Sequence, residues 1–446
     1  MLRIRPTAGR EAARALSVDG SAQRLPPGIH SLDGTDQTMP DDDLRLLSEM
    51  VGETANVGIG ESIHTSEGFE AMKARMVRFL IEDAGFRVVA IESPRTAVAT
   101  TTNPYVQTCQ GSPTDAAGGI FPVFASDAMG ELLGWMCRWN AEHPHDRVQF
   151  IGFDAQQPWT DWDALRTYLT VAAPADAAAL TAGITLCDGP QASSEDDYWQ
   201  NHSYDPYPVA NFQACNGGID AIDAYFASHA QEIAHRTSRE AFELGKLSSV
   251  SFRSWQGEQY YGEQYDALGD LPDLVGSLEA RDLAMGKIYE TLRALYFPLR
   301  KAALWAHNYH LMKSHVTADD PNGIPGARNM GGVLSQDLGR EYAPIGQSGW
   351  DVEINWPGVG YGPTSYPQSD AEIEWNLHAF GRPWLLVDLE DPRLASFLAP
   401  GEEYTWGNPG QMGMVPADQF RALVYFEASP PMNALFWGTP DDGGVW

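Results

Sequence analysis

A chain of 446 residues with 43% hydrophobic content can bury one large α/β core, and wholesale disorder is excluded. Its 60 acidic residues against 29 basic ones give a net charge of −31, a surface that repels nucleic-acid backbones and anionic lipid, so no nucleic-acid partner is expected. No apolar run approaches the roughly 18 residues needed to span a bilayer.

The first twenty residues carry basic side chains but no apolar h-region, so they do not read as an intact signal peptide. The chain is therefore expected to be cytoplasmic, or extracytoplasmic if a leader has been removed. Residues 1–40 are rich in Ser, Asp, Gly and Pro and read as a flexible lead-in. Residues 41–446 read as one domain, with a helical insertion at about 188–300.

Within that domain, DDDLRLLSEMVG from Asp41 fits a short helix, and Val57 to Ile59 the first core strand. Phe69, Met72, Met76, Phe79 and Leu80 recur at helical spacing between Glu67 and Ala84, which places Lys73, Arg75, Arg78 and Glu82 on the opposite face. Arg87 to Ile91 is the next strand, making a parallel βαβ unit. A helix is expected from Ser126 to His143, a strand from Arg147 to Gly152 with Asp154 at its exit, and a helix from Asp161 to Ala173. Asp154 reads as a strand-end residue capping the next segment.

Further on, residues 93–125, 188–216 and 248–269 read as irregular, the last two rich in aromatic residues. Helices are expected at 220–247 and 274–299, a strand at Ala302 to Trp305, and a loop at 315–330. A short helix from Gly332 and strands at Tyr342, Trp384 and Ala422 complete the pattern. The fold class is α/β: a mainly parallel sheet flanked by helices, with a largely helical additional region. The aromatic stretches at 199–212, 255–265 and 350–366 suit either satellite core or the walls of a cleft. The four cysteines, Cys109, Cys137, Cys187 and Cys215, show no CxxC spacing. They suit either two disulfides, for example Cys187–Cys215, or four thiols of a cytosolic protein.

The chemistry gathers at strand exits. Ligands of open α/β sheets sit outside the carboxyl ends of the strands. Here those ends carry Glu61 and His64, then Glu92, then His307 and His310. GxSxG, HExxH, Walker A and the third glycine of a dinucleotide fingerprint are all missing. A histidine beside carboxylates suits a general base acting on water, and a second histidine pair could polarise or protonate. The same three His and two Glu also suit a metal site with open positions. Residue types alone leave both readings standing.

GESIHTSEGF at 60–69 with VVAIES at 88–93, and WAHNYHL at 305–311, resemble the two signatures of the erythromycin esterase family. WMCRWNAEHPHDRVQFIGFDAQ (135–156), MGGVLSQDLGREYAPIG (330–346) and RALVYFEAS (421–429) extend the resemblance over about residues 40–430. It implies hydrolysis of a small-molecule ester or lactone without metal or cofactor. On the matching positions, His64 would be the general base, Glu61 and Glu92 its supporting carboxylates, and His307 and His310 the groups that orient or polarise substrate. Lys73, Asn308 and Trp305 would contact substrate. Two positions depart from the family pattern: Lys73 stands where an arginine is usual, and Thr65 where a glycine follows the catalytic histidine.

Overall fold

The computed structural model describes residues 24–194, 197–314, 327–356, 360–363, 367, 369–408 and 412–436. Its strands are β1 (Ile29–Ser31), β2 (Asn56–Ile59), β3 (Phe86–Pro94), β4 (Gln149–Asp154), β5 (Lys301–Trp305), β6 (Tyr342–Trp356), β7 (Gly360–Pro363), β8 (Trp384–Asp388), β9 (Tyr404–Trp406), β10 (Met412–Met414) and β11 (Ala422–Ser429). The main sheet runs β1-β8-β11-β6-β2-β5-β3-β4, with β7 paired to β6 off that path. From β11 to β4 every neighbouring pair is parallel, whereas β8 and β1 join antiparallel at the other edge. β9 and β10 form a separate hairpin sheet. Ile29 to Ser31, inside the expected lead-in, are thus the edge strand β1.

Alternation is weak along the central strands because both faces are covered: all four residues of β2 are buried, and so are eight of nine in β3. One face packs against helices α1 (Arg45–Val51), α2 (Glu67–Asp83) and α3 (Asp127–Glu142). α2 departs from the amphipathic expectation, since Lys73 and Arg75 are fully buried as well as the apolar stripe. A narrow stripe through Glu67, Ala71, Arg78 and Glu82 reaches the surface. Arg75 is consumed there by Asp43 Oδ1 at 2.6 Å, Pro40 O at 2.8 Å and Gly34 O at 2.6 Å, which satisfies a cation that burial would otherwise penalise.

The opposite face carries the long helix Leu271–Tyr296, with Met285, Ile288, Tyr289 and Leu292 against Val88, Ala90 and Leu304. Between β4 and β5 the chain builds α4 (Pro158–Ala172), α5 (Val209–Arg236), α6 (Arg239–Leu268) and α7 (Leu271–Tyr296). The expected irregular stretch at 248–269 is therefore helical. Glycines of α6 and of α7 let the two helices approach closely. A Cβ on Gly257 would stand 3.0 Å from Ala280 Cβ, and one on Gly276 3.0 Å from the Tyr261 ring. The aromatic residues of 198–212 and 255–261 pack on each other: Phe212 stacks on Tyr260 with centroids 4.0 Å apart, and Trp255 meets Tyr198 edge-on. Part of 350–366 and most of 315–330 lie outside the described residues.

All four cysteines are paired in two disulfides, Cys109–Cys137 and Cys187–Cys215, leaving no free thiol. The first ties the 93–125 segment to α3, and the second draws together the two ends of the 188–216 segment. Among the described residues no helix is long and apolar enough to cross a membrane.

Candidate active site

The sheet order places the exits of β2, β5, β3 and β4 side by side, and each exit delivers a charged or titratable side chain. Register aligns Ile59 with Trp305 and Trp305 with Ile91, so Glu61, His307 and Glu92 follow at one level. Asp154, at the end of β4, sits opposite Pro94.

After β2 the chain leaves the sheet through Gly60. A Cβ at that position would collide with Asn308 Oδ1, so only glycine lets the β2 and β5 exits close together. The loop that follows is pinned from the second half of the chain. Asn308 N donates to Glu61 O at 2.7 Å, His307 Nε2 to Ser62 O at 2.8 Å, and Ser62 Oγ to Asn408 O at 2.7 Å. Asn308 Nδ2 also donates to Gln347 O at 2.8 Å, which ties β5 to β6. Thr65 then adopts a left-handed φ of 66°, and its carbonyl accepts from Asn355 N at 3.1 Å and Met432 N at 2.9 Å. A β-branched residue is costly there. The family-like glycine is absent at the position whose backbone would favour it.

Two charged clusters result. In the first, His64 Nδ1 meets Glu61 Oε1 at 2.7 Å, and Lys73 Nζ reaches Glu61 Oε2 at 2.5 Å and Glu70 Oε1 at 3.1 Å. Lys73, Glu61 and Glu70 are all fully buried, and the ammonium lies over the Trp305 ring, 4.4 Å from its centroid. Burial pushes the Glu61 carboxyl up, but the Lys73 ammonium and the His64 contact outweigh it and hold the group down at about 2. Glu70 moves the other way: burial raises it well above the usual carboxylate range against the opposing pull of Lys73, and Glu61 beside it adds to the rise. One ammonium thus lies between two carboxyls, closer to Glu61 than to Glu70.

In the second cluster Glu92 is saturated. Its Oε1 accepts from Arg281 Nη2 at 2.7 Å and faces His310 Nε2 at 3.2 Å, and its Oε2 accepts from the His307 backbone N–H at 2.8 Å. His310 Nδ1 meets Asp282 Oδ1 at 2.8 Å. Burial disfavours the imidazolium of His310, but Asp282 and Glu92 on its two sides raise it to about 10. Glu92 is held well below its usual range despite burial, chiefly by His310 and then Arg281. Asp154 caps the next segment as expected, Oδ1 accepting from Ala155 N at 2.6 Å and Gln156 N at 2.9 Å. It also takes Arg281 Nη2 on Oδ2 at 2.6 Å.

His307 joins the clusters. Its ring lies 5.4 Å from the His64 ring and 6.3 Å from that of His310. Tyr309 N donates to its Nδ1 at 3.1 Å, while Nε2 serves Ser62 O. That pattern fixes the neutral Nε2–H tautomer. Burial, with the neighbouring histidines, lowers it to about 4, so the ring stays uncharged.

The eight residues singled out from the sequence thus fall in one place. Of these, His64 and His307 are the partly open members, the side chain of His64 being 19% exposed. Lys73, Asn308 and Trp305 are each fully buried and face protein groups. Three further members carried no motif. Arg281 and Asp282 lie mid-helix, where a signal existed: Asp282, Met285 and Tyr289 share one buried face of α7, and a carboxylate in that stripe demands a partner. Glu70 gives the same signal on α2. Among the described residues, only Asp41, Glu82 and Asp83 bring three ligand atoms of metal-binding type within 4.8 Å, and two of the three are exposed.

The erythromycin esterase family model matches residues 81–429, more than three quarters of the chain. The chain belongs to the erythromycin esterase family. It is accordingly a hydrolase of esterase type with a small-molecule substrate. The match starts beyond Glu61 and His64 and takes in Glu92, His307 and His310. A relative named as putative hydrolase YbfO from Bacillus subtilis (strain 168) is 23% identical over 412 residues, covering 87% of each chain. Three solved structures share the fold. A Bacillus cereus protein aligns with TM-score 0.74 at 19% identity, covering 96% of this chain and 100% of that one. A succinoglycan biosynthesis protein aligns at 0.71 and 16%, covering 96% and 98%. A histidine-to-asparagine mutant of erythromycin esterase EreC in its open conformation aligns at 0.73 and 17%, covering 93% and 99%.

Proposed function

We propose that this esterase-family protein cleaves a carboxylic ester or lactone with water activated by His64 and without a covalent protein nucleophile. The observation that carries this reading is the 2.7 Å contact between His64 Nδ1 and a buried, ionised Glu61. A carboxylate on Nδ1 fixes that nitrogen as the N–H donor and leaves the lone pair on Nε2, and it stabilises the imidazolium that forms. The neighbouring serines are engaged elsewhere: Ser62 Oγ donates to Asn408 O, and Ser66 Oγ pairs with Ser429 Oγ at 2.6 Å.

In the proposed step, His64 Nε2 takes a proton from water as its oxygen attacks the carbonyl carbon. The tetrahedral oxyanion collapses, the C–O bond to the leaving group breaks, and the departing alkoxide takes the proton back from His64. An ester gives an acid and an alcohol; a lactone gives a hydroxy acid. The ion-paired cluster of His310 and Arg281 with Glu92, Asp154 and Asp282 holds the exits of β3, β4 and β5 in place beside the His64 loop. Glu61, Lys73, Asn308 and Trp305 set the position and charge of the His64 loop.

The test is a panel of aryl esters and macrolactones with His64→Ala and Glu61→Gln. Both variants are expected to lose at least a hundredfold in kcat/KM on any substrate that is turned over. Turnover in ¹⁸O-water should place one label in the acid, and the quenched enzyme should carry no added acyl mass. Undiminished turnover by His64→Ala, or an acyl adduct, overturns the reading.

A further inference from the structure

Beside β4, the outermost strand of the sheet, lies a cavity of about 590 Å³ that the hydrolytic site does not use. It is bounded by β4 from Gln149 to Gly152, the segment carrying Arg95, Ala99 and Asn103, the end of α7, and Leu244 of α6. Phe150, Ile151, Leu244, Leu292 and Phe297 give it an apolar lining. Arg95, Arg147, Arg300 and His145 also line it, and no Asp or Glu does.

That composition runs against the chain's own charge. Acidic residues outnumber basic ones about two to one, at 60 to 29, yet this cavity gathers three arginines and no carboxylate. The arginines are incompletely satisfied. Arg95 is more than nine-tenths buried; it reaches Asp161 Oδ1 and Ser248 Oγ at 2.8 Å each, while its Nε has no hydrogen-bond partner. Arg300 Nη1 donates to Arg147 O at 3.2 Å, and its guanidinium stands 4.0 Å from Asp146, which already holds Arg87 at 2.5 Å. Arg147 makes no ion pair among the described residues and is exposed at the rim. Guanidinium groups at the mouth of an apolar hollow match a ligand with an acidic head and an apolar body.

We propose that this cavity binds a small amphipathic anion: one carboxylate or phosphate monoester group held by Arg147, Arg300 and Arg95, with an alkyl or cyclic body over Phe150, Leu244 and Leu292. The volume lies in the ordinary range for small-molecule sites. It is a second site, since none of its lining residues belongs to the His64 or Glu92 clusters.

Titration calorimetry with octanoate, octyl phosphate, 1-octanol and acetate tests this on the full chain. One equivalent of octanoate or octyl phosphate should bind, at least tenfold tighter than 1-octanol, with acetate weaker still. Binding of only one of the two anions identifies the head group. The double variant Arg147→Glu/Arg300→Glu should lose at least tenfold while keeping the wild-type unfolding midpoint, and Ala99→Trp should block the cavity. His64→Ala should bind octanoate as the wild type does. Equal affinity for 1-octanol, indifference to the charge reversals, dependence on His64, or no binding of either anion overturns the proposal.

Discussion

Arg281 Nη2 stands 2.7 Å from Glu92 Oε1, so a helix far along the chain holds the carboxylate that β3 delivers. The same nitrogen lies 2.6 Å from Asp154 Oδ2. Removing one member of such a network leaves the others buried and unpaired. Arg281→Met is expected to cost about 3–5 kcal/mol in urea unfolding and to lower kcat with it. Glu92→Gln, which keeps shape and some hydrogen bonding, should cost less stability while still lowering kcat.

Lys73 governs Glu61. Replacing it with Met removes the attraction that holds Glu61 at about 2, and burial then drives that carboxyl upward. Glu61 would be protonated nearer neutrality, and His64 would lose its anionic partner. The acid limb of the kcat/KM profile should therefore move to higher pH, with a fall of about a hundredfold at its centre. Lys73→Arg keeps the charge and should preserve the position of the limb, which a purely structural role would not distinguish.

The buried histidines give stability opposite pH dependences. His307 is lowered to about 4 in the fold, against 6.5 unfolded. Its contribution is present above 6.5 and is lost as pH falls toward 4. His310 is raised to about 10, so its contribution is full below 6.5 and is lost as pH rises through 10. Denaturant midpoints measured from pH 4 to 10 should fall at both ends. His307→Asn should flatten the acid side alone.

Thr65 carries its side chain at φ 66°. Thr65→Gly relieves that strain at the expense of a freer unfolded chain, and a net gain of roughly 1 kcal/mol is expected. Chemical denaturation checks the sign. Turnover should persist, because the carbonyl contacts to Asn355 and Met432 do not need the side chain.

The disulfide pairing predicts no titratable thiol in the unfolded, unreduced protein. Cys187–Cys215 spans 28 positions, and its loss through Cys187→Ala/Cys215→Ala should cost about 3.5 kcal/mol by loop entropy. Activity at 25 °C should survive, because the bridge lies in the helical region away from the strand exits.

The strands β2, β3, β4, β5, β8 and β11 and the start of β6, the α2 and α7 helices and the titratable residues at strand exits were legible in the sequence because they follow periodicity and the rule for ligand placement in parallel sheets. Two kinds of feature were not. Aromatic and glycine residues at 248–269 look like loop, but become helix when Gly257 and Gly276 let α6 and α7 touch. Lys73 and Arg75 look solvated because the polar side of one helix says nothing of what covers it. Their burial depends on Glu61, Glu70 and Asp43, which are partners only in three dimensions.

The position of β5 has a consequence for how activity can arise. It lies between β2 and β3, although both precede it by more than 200 residues. A chain halted before Lys301 would already contain His64, Glu61 and Glu92. Neighbouring strands lie about 4.8 Å apart, so β2 and β3 would have to hold open a slot one strand wide, or close over it and displace Glu92 relative to His64. Synthesis of nearly seven tenths of the molecule thus yields no working part of it. On the proposed mechanism, hydrolysis begins only once the middle of the sheet, made late, is threaded between two strands made early.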